Sequence, residues 1–322
     1  MANTSLSRAK VHKNDEFYTL LTSVENELRF YEGSFRDKTV CCNCNDGEDS
    51  AFWKYFSMNY QKLGLYKLIC IKYGMPAYKL QITRDSGVVK TSLQGNGDFR
   101  SDECLDILKC ADIVVTNPPF SIFREFMKML YENQKQFLII GNMNMVVCDD
   151  IFPLFSAGKL HFGYTAVKAF TQIDGSQCSF GNTYWYTNIN TPKKNPLIPL
   201  CSQFSPERYP SYDNYPAVEV SRITDIPNDY YGLMGVPITY LLRHVPEQFE
   251  IVGLAKGHDE LAKIYINPVQ HKPDGKTGCG GKVNDTAAIL VKEKPNDIYY
   301  TADNVDGYLI GKYKRVLIKR KT

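Results

Sequence analysis

Between residues 38 and 142, short apolar runs alternate with amphipathic stretches. The runs "KTVCCNC" (38–44), "KLICIKY" (67–73), "DIVVT" (112–116) and "QFLIIG" (136–141) are of strand length and apolar almost throughout, the pattern of strands buried on both faces. Helical spacing fills the intervals. In "DSAFWKYFSMNYQKL" (49–63) Phe52, Phe56 and Leu63 share a face; in "SIFREFMKML" (121–130) Phe123, Phe126, Met127 and Leu130 do so; "SDECLDILK" (101–109) is a short helix capped by Ser101. Upstream, "TSVENELRFY" (22–31) aligns Val24, Leu28 and Tyr31, with Thr22 and Glu25 in a capping-box pattern and Asp49 as the expected cap of the next helix. The stretch "YKLQITRDSGVVKTSL" (78–93) predicts a hairpin turning at Asp85-Ser86-Gly87.

Strands alternating with helices predict an α/β fold with a doubly wound, mostly parallel sheet and ligands at the carboxyl ends of its strands. Beyond residue 160 the regular alternation gives way to aromatics, prolines and short strand-like pieces such as "NTYWYTNI" (182–189). The expected division is therefore 1–165, a ligand-binding and catalytic domain with an N-terminal helix, and 166–322, the remainder of the sheet plus an irregular, β-containing recognition region. Residues 190–216 carry too many prolines for regular elements and predict a long loop. Further on, "PITYLLRHV" (237–245) predicts a helix and "FEIVGLA" (249–255) a strand.

Composition narrows the class. With 322 residues, 43% hydrophobic and 23% charged, the chain is a folded globular protein without a long disordered tract. The formal charge of +3, from 38 basic and 35 acidic residues, announces no polyanion partner by itself. The basic residues do cluster, in "GKYKRVLIKRKT" (311–322) and at Arg8, Lys10 and Lys13, which reads either as phosphate contact or as an edge strand defended by lysines. Ten cysteines without framework spacing read as reduced thiols of a cytoplasmic protein. No signal-peptide pattern or membrane-span length is present, and neither the histidines nor the cysteines have metal-ligand spacing. The glycine-rich "HKPDGKTGCGGKV" (271–283) fails the phosphate-loop pattern, since 276 is Lys and Lys282 is followed by Val283. It remains a basic loop for DNA phosphates or a plain surface hairpin.

The sharpest chemical signal is Asn117-Pro118-Pro119-Phe120, directly after the "DIVVT" strand. A residue before proline is excluded from the α region, so Asn117 and Pro118 are both extended, and neither proline has an N–H to donate. The strand stops abruptly at a rigid corner bearing two acceptors, the Asn117 side-chain carbonyl and the Pro118 backbone carbonyl. Such a pair suits a planar amino group with two hydrogens, and Phe120 is placed to stack on the ring that carries it. Hydrogen bonds from both hydrogens favour a pyramidal nitrogen with a localised lone pair, complementary to the transition state of methyl transfer.

These segments resemble the EcoRI-type adenine-specific DNA methyltransferases. The likeness is carried by "KNDEFYT" (13–19), "CNCND" (42–46), "FWKYF" (52–56), "GDFRS" (97–101), "DIVVTNPPFSIFREF" (112–126), "GNTYWYTN" (181–188) and "MGVPITYL" (234–241), and so runs through most of the chain. It implies a Rossmann-like S-adenosyl-L-methionine-dependent fold, with S-adenosyl-L-homocysteine as product and double-stranded DNA as partner. It makes Asn117, Pro118, Pro119 and Phe120 the catalytic motif. For the donor it implies Phe17, Tyr18 and Thr19 over the methionine part, Cys44, Asn45 and Asp46 as the turn beneath it, Asp98 and Phe99 at its adenine, and Asn117 as a further contact. The turn "NCNDGEDS" departs from the family's glycine-rich form, having only Gly47, and "CIKYGMP" lacks the usual ribose-binding acid.

A duplex base reaches such a site only when flipped out. Phe120 is then expected on one face of the base, with Tyr184 or Trp185 on the other. A restriction endonuclease acting on the same sequence, without stable contact, is the companion such an enzyme implies. Two other readings stay open: the same motif class acting on RNA or on a protein glutamine, and a catalytically silent DNA-binding subunit.

Overall fold

A computed structural model describes residues 17–172, 174–190, 195–255 and 262–321. Arg8, Lys10 and Lys13 lie outside the described residues, as does part of the proline-rich loop. The chain forms two compact units, residues 1–193 and 194–322. The first unit thus continues past residue 165 and takes in the strand of "NTYWYTNI".

In the first unit the elements run β1 (Tyr18–Thr19), α1 (Leu21–Leu28), β2 (Thr39–Cys44), α2 (Ala51–Met58), β3 (Lys67–Lys72), β4 (Tyr78–Thr83), β5 (Ser86–Ser92), α3 (Asp102–Lys109), β6 (Ile113–Thr116), α4 (Phe123–Glu132), β7 (Gln136–Asn142), α5 (Phe152–Ser156), β8 (His161–Ala166), β9 (Ala169–Thr171), β10 (Gln177–Ser179) and β11 (Thr183–Thr187). Eight of the strands make one sheet in the order β5-β4-β3-β2-β6-β7-β11-β8. The expectation of a mostly parallel sheet is corrected: β3, β2, β6 and β7 are parallel, whereas β4 and β5 on one side and β11 and β8 on the other pair antiparallel. Only the central strands show the continuous apolar runs that burial on both faces requires, and they are the parallel ones.

Successive side chains of these strands point to opposite faces. Val40, Cys42, Leu68, Cys70, Ile113, Val115, Leu138 and Ile140 share one core with Val24 and Leu28 of α1 and Phe52 and Phe56 of α2. On the other face Phe123 of α4 lies 5.0 Å from the Tyr186 ring and so close to Gly141 that a side chain there would collide with it. Helices therefore cover both faces. Two expected caps differ: the hydroxyl of Ser50, not Asp49, caps α2 at the Phe52 N–H (3.2 Å), and α1 has Leu20 at its N-cap position with no side-chain cap. Asp49 is instead taken up in the tight turn Gly47–Asp49. Ser101 caps α3 through the Cys104 N–H at 3.3 Å, as its position predicts.

Glu27 on α1 is fully buried and ties that helix to β8. Its Oε1 accepts from the Tyr31 hydroxyl (2.9 Å) and the Tyr164 N–H (2.7 Å), and its Oε2 from the Thr165 N–H (2.7 Å) and hydroxyl (2.6 Å). A carboxylate with four donors is tolerated in a core where an unpaired one is not.

The second unit holds β12 (Val218–Glu219), β13 (Met234–Pro237), β14 (Phe249–Leu254), β15 (Val269–His271), β16 (Thr277–Cys279), β17 (Ala288–Val291), β18 (Tyr299–Thr301), β19 (Tyr308–Gly311) and β20 (Arg315–Arg320). They form a four-stranded sheet, β12-β13-β20-β14, and a five-stranded one, β16-β15-β18-β19-β17. "PITYLLRHV" supplies only a 3-10 turn, Ile238–Leu242. The basic C-terminal run is no edge strand: β20 lies between β13 and β14, and Arg315 donates to both oxygens of buried Glu219 at 2.8 and 3.0 Å. The "HKPDGKTGCGGKV" segment contributes the exposed β15–β16 hairpin at the edge of the five-stranded sheet. No helix among the described residues is long and apolar enough to cross a membrane.

Glu27→Ala would strand the Tyr31 hydroxyl and two backbone N–H groups; it is expected to lower the unfolding free energy by about 3 kcal/mol or more in urea denaturation.

Candidate active site

Because β2 and β6 are parallel neighbours, their carboxyl ends emerge side by side. From β2 comes the turn Asn45-Asp46-Gly47, and from β6 the corner Asn117-Pro118-Pro119-Phe120. The Thr116 hydroxyl donates to the Asn43 backbone carbonyl and stitches the two together. Pro119 is extended (φ −53°, ψ 135°), and Phe120 opens a short 3-10 turn that leads into α4.

The corner is the wall between two cavities. Asn43, Cys44, Asn45 and Thr116 to Pro119 line both of them. The larger, about 220 Å3, is completed by Ile71, Tyr73, Asp98, Phe99, Arg100 and Phe126. The smaller, about 30 Å3, is completed by Phe17, Tyr18, Thr19, Asp46, Ser50, Phe52 and Phe120. Residues brought from positions 17–19, 43–52, 71–73, 97–100 and 116–126 therefore meet at one end of the sheet.

Asn117 is held in one orientation. Its Nδ2 donates to the Phe17 backbone carbonyl at 2.7 Å, and its Oδ1 is buried with no hydrogen-bond partner in the protein. A buried acceptor left without a donor costs roughly 1–3 kcal/mol, so such an atom in a cavity wall marks a place for an incoming donor. The Thr19 hydroxyl, in the wall of the smaller cavity, is likewise buried without a partner.

The two acids differ in environment. Burial pushes the Asp46 carboxyl up to about 6, more than its own backbone hydrogen bond and Lys54 offset. For Asp98, burial acts upward, but hydrogen bonds from the Arg100 N–H and Nε, each 2.9 Å, hold it below the usual carboxylate value. Phe99 packs edge-on against Phe126 (5.1 Å), and the Arg100 guanidinium lies 4.9 Å from its ring centre. The Cys44 thiol accepts from the Ser50 hydroxyl at 3.0 Å. Gly47 has φ +57°, and a Cβ there would strike the Tyr78 hydroxyl, which explains the one glycine this turn retains. None of the ten cysteines forms a disulfide, and no group of metal-ligating side chains occurs among the described residues.

The expected second stacking residue is not where it was sought. Trp185 is fully buried, edge-on to Phe52 at 6.1 Å, because the inner strand β11 directs it into the α1–α2 core; it presents no face to a base. Tyr184 packs on Phe162 at 5.6 Å and lines neither cavity. Asn43, Tyr73 and Arg100 join the site without a local sequence signal of their own, as do Phe170 and Phe180, whose rings lie 6.4 and 6.3 Å from Phe120. Arg100 stands inside "GDFRS"; Phe170 lies in the three-residue β9 and Phe180 just after the three-residue β10, segments too short for a readable period.

At the carboxyl end of the sheet's parallel centre, a proline-locked polar corner thus stands between two cavities. Residues 5–321 match the family described as "Adenine-specific methyltransferase EcoRI". The chain belongs to that family and is a DNA adenine methyltransferase. It is 41% identical to the Type II methyltransferase M.MgeORF184P of Mycoplasma genitalium, over 89% of this chain and 98% of that one. It is 38% identical to the Type II methyltransferase M.EcoRI of Escherichia coli (80% and 91%) and 37% identical to M.MpnI of Mycoplasma pneumoniae (91% and 99%).

Gly47→Ala is expected to lower thermal stability, by roughly 1–3 kcal/mol for the left-handed backbone plus the collision. Adding Tyr78→Phe, which removes the colliding hydroxyl, recovers part of the loss in the same melting experiment.

Proposed function

We propose that the enzyme transfers a methyl group from S-adenosyl-L-methionine to the N6 amine of an adenine flipped out of double-stranded DNA. The observation that carries this reading is the Asn117 carboxamide: one end is anchored on the Phe17 carbonyl, and the other offers a buried, unpartnered oxygen at the wall shared by two cavities. The donor supplies an activated methyl group on a sulfonium. Asn117 Oδ1 and the Pro118 carbonyl accept from the amine, fixing its lone pair toward that methyl, and Phe120 stacks on the base.

The residues present fit the donor. Ile71, Tyr73, Phe99 and Phe126 give the larger cavity walls suited to adenosine, with Asp98 held ionised to accept from its exocyclic amine. Asn45, Asp46, Cys44 and Phe17 to Thr19 surround the smaller cavity, and this reading assigns the methionine part of the donor to those residues. β3 ends at Lys72 without an acid for the ribose; Asp46 lines only the smaller cavity, so its carboxylate is assigned to the donor's cationic groups, and the neutral Asn45 carboxamide, which lines both, to the diol. A cognate restriction endonuclease sharing the DNA sequence, without stable contact, is the companion this reading implies.

Incubation with labelled donor and, separately, duplex DNA, single-stranded DNA, RNA and protein tests the reading. Label on adenine N6 of duplex DNA is expected, with kcat reduced about 100-fold or more in Asn117→Ala. Label on RNA or on glutamine would replace it with another amine, and donor binding without transfer would make the chain a silent DNA-binding subunit. Donor affinity should also depend on Asp46: with a pKa of about 6, it is ionised above that pH and pairs with a cation, and it is protonated below. Binding of the donor measured by calorimetry is expected to weaken about tenfold from pH 7 to pH 5, and Asp46→Asn to flatten that dependence.

A further inference from the structure

Phe120 does not stand alone beside Asn117. Phe17, Phe120, Phe170 and Phe180 form a closed group in which every pair of rings is in contact. Phe17 lies 6.1 Å from Phe120 and from Phe170 and 4.6 Å from Phe180; Phe120 lies 6.4 Å from Phe170 and 6.3 Å from Phe180; Phe170 and Phe180 are 5.6 Å apart. Phe170 and Phe180 meet Phe120 nearly edge-on, at 87° and 80°, while Phe17 is tilted only 34° from its plane.

Three of these rings come from the separate sheet β1-β9-β10 or its immediate flank, in which Thr19 pairs with Phe170 and Phe170 with Cys178. The same sheet carries Tyr18 and Thr19 into the wall of the smaller cavity, and the residue before it supplies the Asn117 anchor. Phe120 needs such support. It follows two prolines, begins only a 3-10 turn, and is itself half-buried, whereas Phe170 and Phe180 are buried.

We infer that the β1-β9-β10 sheet is a positioning element for the target base, with Phe170 and Phe180 as positioning residues that clamp the Phe120 ring in the plane the flipped adenine stacks on. The inference rests on the base-flipping reading above. Edge-on contacts from two buried rings resist rotation of Phe120, which lines the smaller cavity.

The test uses the full-length enzyme and, once the methylated position is mapped, a duplex carrying 2-aminopurine there. Phe180→Leu and Phe180→Met, which keep an apolar side chain but remove the ring, are expected to leave the donor dissociation constant within about twofold, lower kcat about tenfold or more, and raise 2-aminopurine fluorescence above the wild-type complex, since a looser stack quenches less. Donor affinity falling in step with kcat in both variants would mean a merely structural role and would overturn the inference, as would wild-type kcat and fluorescence in both. Absence of any 2-aminopurine change with the wild-type enzyme would instead overturn base flipping itself.

Discussion

A carboxamide oxygen without a donor, held at the end of a central strand by two prolines, is the constraint around which the first unit is arranged. Proline removes the N–H groups that would have satisfied neighbouring acceptors and fixes the backbone that carries them. The Asn117 amide cannot turn to relieve its oxygen, because its nitrogen is committed to the Phe17 carbonyl. The cost of that unsatisfied acceptor is sustained by a rigid surround: β2 and β7 on either side of β6, α4 behind the corner, and the small sheet that brings Phe17.

Around this oxygen, charge is distributed by environment and not by residue type. Asp46 and Asp98 are both aspartates in cavity walls, yet burial leaves one near its titration point close to neutral pH while hydrogen bonds from Arg100 keep the other firmly ionised. One acid is thus ready to respond to a cation and the other to serve as a fixed acceptor. The same distinction governs the second unit, where the basic C-terminal run looks from composition like a surface for polyanions. Its Arg315 is spent internally, forked onto Glu219 with the Tyr212 and Ser221 hydroxyls on the same carboxylate.

The central sheet was legible because its physics is local. Runs such as "DIVVT" and "QFLIIG" have too few polar atoms to tolerate water on either face, and the helices between them carry their periodicity openly. The Asn117-Pro118-Pro119-Phe120 corner was legible because the stereochemistry of a double proline belongs to the chain itself and needs no partner to act. The β4–β5 hairpin was legible from its turn residues, but the other outer pairings were harder: β9 and β10 are only three residues long, and the antiparallel placement of β4 beside β3 and of β11 between β7 and β8 depends on connections that no run of residues announces.

The sequence by itself determined the alternation of strand and helix and the stop at Asn117, both consequences of backbone geometry and side-chain pattern over a few residues, and its motifs taken together determined the family of the enzyme. Tertiary structure alone decided which rings surround the site. Trp185 lies in a motif with two tyrosines, but strand alternation in an inner strand turns it into the core, while Phe170 and Phe180, about fifty and sixty residues from Phe120 in the chain, are carried to it by a three-stranded sheet. Contacts between residues so far apart are set by how whole elements pack to bury apolar surface, and that information is spread over the chain instead of residing in any segment of it.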